Sequence, residues 1–263
     1  MSNDDVGSAF AALVDIMARL RAPGGCPWDR EQTWETLRSY VLEEAYEVVD
    51  AIERDDPQAL RDELGDLLLQ IVFQAEIAQE GGHFTAADVA RAIADKLVRR
   101  HPHVFADATV RDAAEVVRNW QRLKDEERPI AAGTDPDALV PRGLPALPRA
   151  QKLASILARR GFDWPDAHAV LDKVEEEVRE LRAALTLGDA PAIAHELGDL
   201  LLAATSLARH LDVSAEVALR DATARLLDRV HRVEAAADVL GRQPVDLSST
   251  ELDRLWRDAK RRG

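Results

Sequence analysis

The sequence predicts an all-α protein built as a tandem repeat, and three observations carry that prediction. The heptapeptide Glu63-Leu-Gly-Asp-Leu-Leu-Leu69 returns letter for letter as Glu196-Leu-Gly-Asp-Leu-Leu-Leu202. The acids upstream of each copy, Glu43, Glu44 and Glu47 and then Glu176, Glu177 and Glu180, keep the same offset of 133 residues that separates Glu63 from Glu196. Aromatics make up only 5% of the chain, while Ala, Leu, Arg, Glu and Asp dominate. That mixture favours helices over sheets, and no period-2 alternation stands out.

The elements follow in order. Phe10, Leu13, Val14, Met17 and Leu20 recur at helical spacing until Pro23-Gly24-Gly25 ends the stretch, and Cys26-Pro27-Trp28-Asp29 reads as a loop. A helix is expected from about 34 to 54, stopped at Asp55-Asp56-Pro57 because proline cannot continue it. A second runs from about 58 to 80 and closes at Gly81-Gly82. Thr85 with Asp88 forms a capping-box pattern that opens a third helix carrying Val89, Ile93 and Leu97, ended at His101-Pro102. A fourth spans about 111–127. Five of the twelve prolines then crowd into 128–149, which reads as a linker or extended strap. Helices resume near 150–160, 169–187, 191–210, 214–237 and 249–261. The expected division is therefore 1–127, a Pro-rich linker 128–149, and 150–263.

Bulk properties bound the function. The 263 residues suffice for one large or two modest cores, and 46% hydrophobic with 31% charged residues fits a folded soluble chain. A formal charge of −14 argues against a nucleic-acid polymer as partner. It leaves room for a nucleotide, because a divalent cation reverses the local field. One cysteine, Cys26, excludes an intrachain disulfide. The acidic start lacks a signal-peptide pattern and no apolar run approaches the roughly 20 residues that span a bilayer. The expectation is a soluble, cytoplasmic protein with no membrane partner.

The acids carry the chemistry. Residues three or four apart share a helix face, so Glu44 with Glu47, and Glu63 with Asp66, each form a pair. The 16 residues from Glu47 to Glu63 span one helix end, a turn and the next helix start, and Glu180 to Glu196 repeats that interval. Two antiparallel helices joined this way aim four or five carboxylates at each other. Like charges so close repel unless a cation neutralises them, and all-oxygen ligation suits Mg²⁺ or Mn²⁺. A solvated acidic face is the bland alternative. Against it, Asp66 and Asp199 stand within leucine runs, where a solvated face is not expected. Gly65 and Gly198, mid-helix, cost about 1 kcal/mol each relative to alanine and suggest close approach of a helix or ligand.

At these residues the chain resembles a known family. Leu42-Glu43-Glu44-Ala45-Tyr46-Glu47, Glu63-Leu-Gly-Asp66, the upstream Cys26-Pro27-Trp28-Asp29 and the downstream Arg99-Arg100-His101-Pro102-His103-Val104-Phe105 look like MazG. The resemblance covers nearly the whole chain. It implies two four-helix modules of an all-α nucleoside triphosphate pyrophosphohydrolase, acting with Mg²⁺ on many bases and assembling as a homodimer. It implies metal ligation by Glu44, Glu47, Glu63 and Asp66, or by Glu177, Glu180, Glu196 and Asp199. Glu43 or Glu176 would hold a second ion or orient the attacking water.

A triphosphate also needs cations from the chain. Lys96 and Arg100, Trp120 and Lys124, Arg225 and Arg229, and Trp256 and Lys260 are all i, i+4 pairs. An indole can stack on a base while its neighbouring lysine meets phosphate, although a tryptophan is as readily a core anchor. In MazG proteins these positions bind nucleotide. Some relatives keep activity mainly in the second half, which favours that half here. Yet it departs from the pattern at Arg225, Thr223 and Glu175, while the first half keeps Lys96 beside Asp95.

A di-iron oxidase is excluded because no Glu-x-x-His pair occurs among these acids. A non-catalytic nucleotide- or partner-binding regulator, and a base-selective hydrolase of the dUTP or dCTP type, remain as other readings. His195 adjoins Glu196 but is expected to point about 100° away from it on the helix, as a structural or exposed residue.

Overall fold

A computed structural model describes residues 3–127 and 133–261. The chain divides into two compact units, Met1–Pro129 and Ile130–Gly263. Both are helical, with no strand among the described residues. The all-α tandem architecture expected from the repeat is what forms.

In the first unit, α1 (Asn3–Arg21) leads through the short α2 (Pro27–Glu31) into α3 (Trp34–Glu53) and α4 (Pro57–Glu80). Thr33 caps α3 by accepting from the Thr36 amide, and Asp56 caps α4 by accepting from the amides of Gln58 and Ala59. Capping satisfies the amide donors that the first turn leaves open. Then come α5 (Ala86–Arg100), α6 (Pro102–Phe105) and α7 (Ala113–Glu127). The Thr85–Asp88 capping box forms at the start of α5. The core joins Met17 of α1, Leu37 of α3, and Val72 and Phe73 of α4, with Phe10, Leu13, Val14 and Leu20 packed against them. Helix α6 is a single turn after Pro102 that the hydrophobic periodicity does not reveal.

In the second unit, Asp135 caps a 3-10 turn at Pro136–Leu139, and α8 (Ala146–Ala158) follows. Helix α8 begins four residues ahead of the expected start. Its Pro148 falls within the first turn, where the missing amide hydrogen costs no hydrogen bond. The segment before it is held down: Arg149 pairs with Asp137, Arg160 donates to the Thr134 carbonyl, and Val140 is buried. Next are α9 (Ala167–Leu187), α10 (Ala190–His210), α11 (Ala215–Val239) and α12 (Ser249–Arg261). Asp189 caps α10 as Asp56 caps α4, so the repeat reproduces the turn between its two central helices.

One expectation about the repeated heptapeptide is overturned and another narrowed within a single chain. Leu64 and Leu68 of α4, and Leu197, Leu201 and Leu202 of α10, are exposed, Leu64 at 48% and Leu197 at 47%. The apolar runs therefore do not bury Asp66 and Asp199. An added Cβ at Gly65 or Gly198 would meet nothing within 4 Å, so neither glycine serves close packing inside its own unit. The reason is common to both: α3 with α4, and α9 with α10, pack as hairpins that leave one long face uncovered.

Candidate metal centre

Each hairpin gathers its acids as the spacing requires. In the first unit, one carboxylate oxygen from each of Glu44, Glu47 and Glu63 lies within 4.8 Å of the others. Burial pushes the Glu44 carboxyl above its usual range, and the charges of Asp66, Glu47 and Glu43 add to the rise. Asp66 therefore lies near enough to add its charge to the cluster, although its own side chain is exposed. Glu43, also exposed, stands outside the converging three.

The second unit builds a denser version. Glu176, Glu177 and Glu180 converge within 4.8 Å, as do Glu177, Glu196 and Asp199. Glu177 belongs to both triads. Its side chain is only 5% exposed, and its Oε2 has no hydrogen-bond partner. A buried, unpaired carboxylate oxygen is costly unless a cation meets it. With that orphan oxygen, and four further carboxylates gathered around Glu177, the centre fits a divalent ion held by Glu177, Glu180, Glu196 and Asp199. Desolvation raises the Glu180 carboxyl, and the charges of Glu177 and Glu196 raise it further.

Two side chains at this centre escaped the reading of the sequence. Lys173 places its Nζ 2.6 Å from Glu176 and 2.7 Å from Glu177. Its bond to Glu176 holds that carboxyl below the ordinary range. The i, i+3 and i+4 spacing from Lys173 to these two acids was the available signal. His195 is exposed, as expected of a residue turned away from Glu196, but its Nε2 lies 3.3 Å from Asp199, a contact the reading did not include. The i, i+4 relation to Asp199, rather than adjacency to Glu196, governs where that ring sits.

The predicted cations and indoles are distributed unevenly. Arg100 of α5 pairs with Glu127 of α7 and lies 5.0 Å from the centre of the Trp120 ring. Arg99 pairs with the same Glu127 at 2.7 Å. Arg100 is thus engaged within the unit, while Lys96 is partly exposed on the same helix. The Lys124 side chain lies outside the described residues. In the second unit, Trp256 lines an open cavity of about 550 Å³ with Val230, Val233 and Leu252. Arg225 and Lys260 are exposed, and Arg229 is partly so. Trp28 meets Tyr40 and Phe73 edge-on, as a packing residue should, although 49% of it stays exposed.

All-α hairpins that gather acids, three converging in the first unit and five in two overlapping triads in the second, define a class of helical protein whose acidic centres have the oxygen donors that would suit a hard cation. The sequence comparisons agree with that class. Residues 32–105 and 166–235 both match the model of the MazG nucleotide pyrophosphohydrolase domain. The chain is 46% identical over 252 residues to the nucleoside triphosphate pyrophosphohydrolase of Escherichia coli strain K12, covering 95% of this chain and 96% of that one. It is 39% identical over 256 residues to the nucleoside triphosphate pyrophosphohydrolase/pyrophosphatase MazG of Thermotoga maritima, covering 97% of each. A protein of Mycolicibacterium smegmatis named for the same activity is 34% identical, and 65% of its length is matched. The chain belongs to the MazG nucleotide pyrophosphohydrolase family.

Proposed function

We propose that this nucleoside triphosphate pyrophosphohydrolase uses Mg²⁺, with Mn²⁺ as substitute, to convert a broad range of ribo- and deoxynucleoside triphosphates to monophosphate and pyrophosphate. The observation that supports the metal most directly is the buried Glu177, common to two carboxylate triads and carrying an unpaired oxygen. The ligands are Glu44, Glu47, Glu63 and Asp66 in the first unit, and Glu177, Glu180, Glu196 and Asp199 in the second. The bound ion supplies neutralisation of the phosphate oxygens and a lowered pKa for water.

The chain's own groups do the rest. Water attacks the α-phosphorus and the bond to the β-phosphate oxygen breaks, so pyrophosphate leaves. Glu43 or Glu176 orients that water or accepts its proton. Lys96, and Arg225 with Arg229, offset the charge that develops on the departing pyrophosphate. Trp120 and Trp256 offer planar faces for the base, and the open apolar cavity beside Trp256 favours that use. Recognition by stacking accepts any base, which suits a role in clearing unwanted triphosphates from the nucleotide pool.

Assembly is part of the same reading. The exposed leucines of α4 and α10 are covered when a second copy packs on them, making a homodimer. No helix among the described residues is long and apolar enough to cross a membrane, and the cytoplasm, where triphosphates are held, is the proposed setting.

Parallel Glu47→Ala and Glu180→Ala variants test the assignment by pyrophosphate release from a panel of standard and damaged triphosphates with Mg²⁺. The expected result is at least a tenfold fall in one variant, with the analogy to relatives favouring Glu180→Ala. If neither variant loses release, the assigned site is wrong. Binding of nucleotide without release by the unsubstituted chain would instead support a regulator.

A further inference from the structure

The two centres carry the same acids in sequence, of which three converge in the first unit and five, in two overlapping triads, in the second, and they differ in what surrounds them. With the offset of 133 residues, Lys173 stands where the first unit has Tyr40, Arg179 where it has Tyr46, and His195 where it has Asp62. Each exchange makes the second hairpin less negative. Lys173 and His195 touch the acids themselves, at 2.6 Å from Glu176, 2.7 Å from Glu177 and 3.3 Å from Asp199. Asp62, the counterpart of His195, faces Arg61 instead. Among the described residues no lysine or arginine lies within ion-pair distance of Glu44, Glu47 or Glu63.

We propose that Lys173 is a tethered counter-cation of the second centre, which makes that centre the weaker of the two for a free divalent ion. The proposal rests on the metal-dependent reading above and concerns which residue sets its affinity. Helix geometry makes the tether durable: Lys173 lies one turn before both of its acids on α9, so its Nζ reaches them without backbone movement. Its ammonium meets Glu177 at Oε1 and leaves Oε2 unpaired. One oxygen of the central carboxylate is neutralised from within, and the other, buried and unpaired, is the one left for an ion. That ion enters a field already offset by one positive charge a few ångströms away. At such separations a unit charge changes the binding of a dication by about tenfold even under strong solvent screening. Among the described residues the first centre has no such competitor. It holds an ion in advance of substrate, whereas the second takes its ion up together with the anionic triphosphate.

Mn²⁺ titration of the full chain, followed by electron paramagnetic resonance of the free ion, tests this without reference to activity. Glu44→Gln with Glu47→Gln isolates the second centre, and Glu177→Gln with Glu180→Gln isolates the first. The expected order is tighter binding, by about tenfold, in the chain that keeps the first centre. On the background that keeps the second centre, Lys173→Met should tighten Mn²⁺ binding about tenfold, while Lys173→Arg, which retains the charge, should leave it weak. Conversely, Tyr40→Lys should weaken the first centre. Circular dichroism checks that each variant keeps its helices, and Tyr40→Lys, at a partly solvent-exposed position, stands as an independent arm if Lys173→Met fails to fold. Unchanged or weaker binding in a folded Lys173→Met chain overturns the counter-cation role. Absence of Mn²⁺ binding at both centres of the unsubstituted chain is a separate failure, that of the metal reading itself.

Discussion

Asp55 and Gly188 occupy the same place in the two repeats, and the backbone treats them alike. Both end the first helix of the hairpin with positive φ, 52° at Asp55 and 69° at Gly188. For most side chains that region costs about 1–2 kcal/mol, because Cβ crowds the following carbonyl; glycine escapes this and aspartate reduces it. The turn therefore has two chemical solutions, and each places a capping aspartate, Asp56 or Asp189, at the next residue. Gly188→Ala should destabilise the second unit by about 1 kcal/mol. A lowered midpoint in urea, read by circular dichroism, is the expected outcome; an unchanged midpoint would show that the turn relaxes. The change lies at the turn rather than among the ligands, so Mn²⁺ binding by the folded protein should persist. Sequence reading located these turns from Asp-Asp-Pro and Gly-Asp-Ala-Pro, because proline and aspartate act locally. It missed Lys173 and the contact of His195 with Asp199, because both are settled by i+4 neighbours whose importance shows only when the cluster is assembled.

At the level of elements, α5 and α7 are joined by one carboxylate. Glu127 accepts from Arg100 and Arg99 together, and Arg100 lies over Trp120 on the same pair of helices. The two guanidinium groups, Arg100 foremost, depress the Glu127 carboxyl to about 2 from an ordinary 4.5. A folded-state value below the unfolded one means that its stabilisation is full above 4.5 and is lost as pH falls toward 2. Glu127→Gln should therefore lower the melting temperature at neutral pH and flatten the decline of stability with acid across that window. Thermal melts of both proteins between pH 2 and 6 provide the check. Parallel curves would mean that the pair contributes nothing across this window. The functional consequence lies with Arg100, which must leave Glu127 if it is to reach a phosphate, so Glu127→Gln should also alter KM for the triphosphate. Helix boundaries along the chain were legible wherever a cap or a proline marked them. The exceptions were α2 (Pro27–Glu31), read as a loop because it is too short for periodicity, α6, a single turn with no periodicity to read, and α8, whose Pro148 signals interruption in sequence yet is harmless in a first turn.

For the molecule as a whole, the repeated heptapeptide poses a problem that neither unit solves alone. Leu64 and Leu68 lie i, i+4 on α4, and Leu197 and Leu201 repeat that row on α10, all of them exposed. Gly65 and Gly198 lie beside these rows with open space above them. A leucine moved from water into a packed interior stabilises by about 1.5–3 kcal/mol, so leaving both rows wet is a large loss. The acids share these helices, which is why the sequence suggested that Asp66 and Asp199 are buried. That inference holds only if something covers the hairpin faces, and periodicity cannot say whether the cover comes from the same chain. A second copy brings matching apolar rows, and the glycines let its helices approach closely. The purified protein should then show the mass of two chains in size-exclusion chromatography with light scattering. Leu68→Lys combined with Leu201→Lys should return it to one chain, because four buried ammonium groups across a symmetric interface cannot be compensated. The same variant should lose thermal stability and bind Mn²⁺ less tightly, since the uncovered acids become more fully hydrated. A single-chain mass for the unsubstituted protein at micromolar concentration would leave the exposed leucines without this explanation.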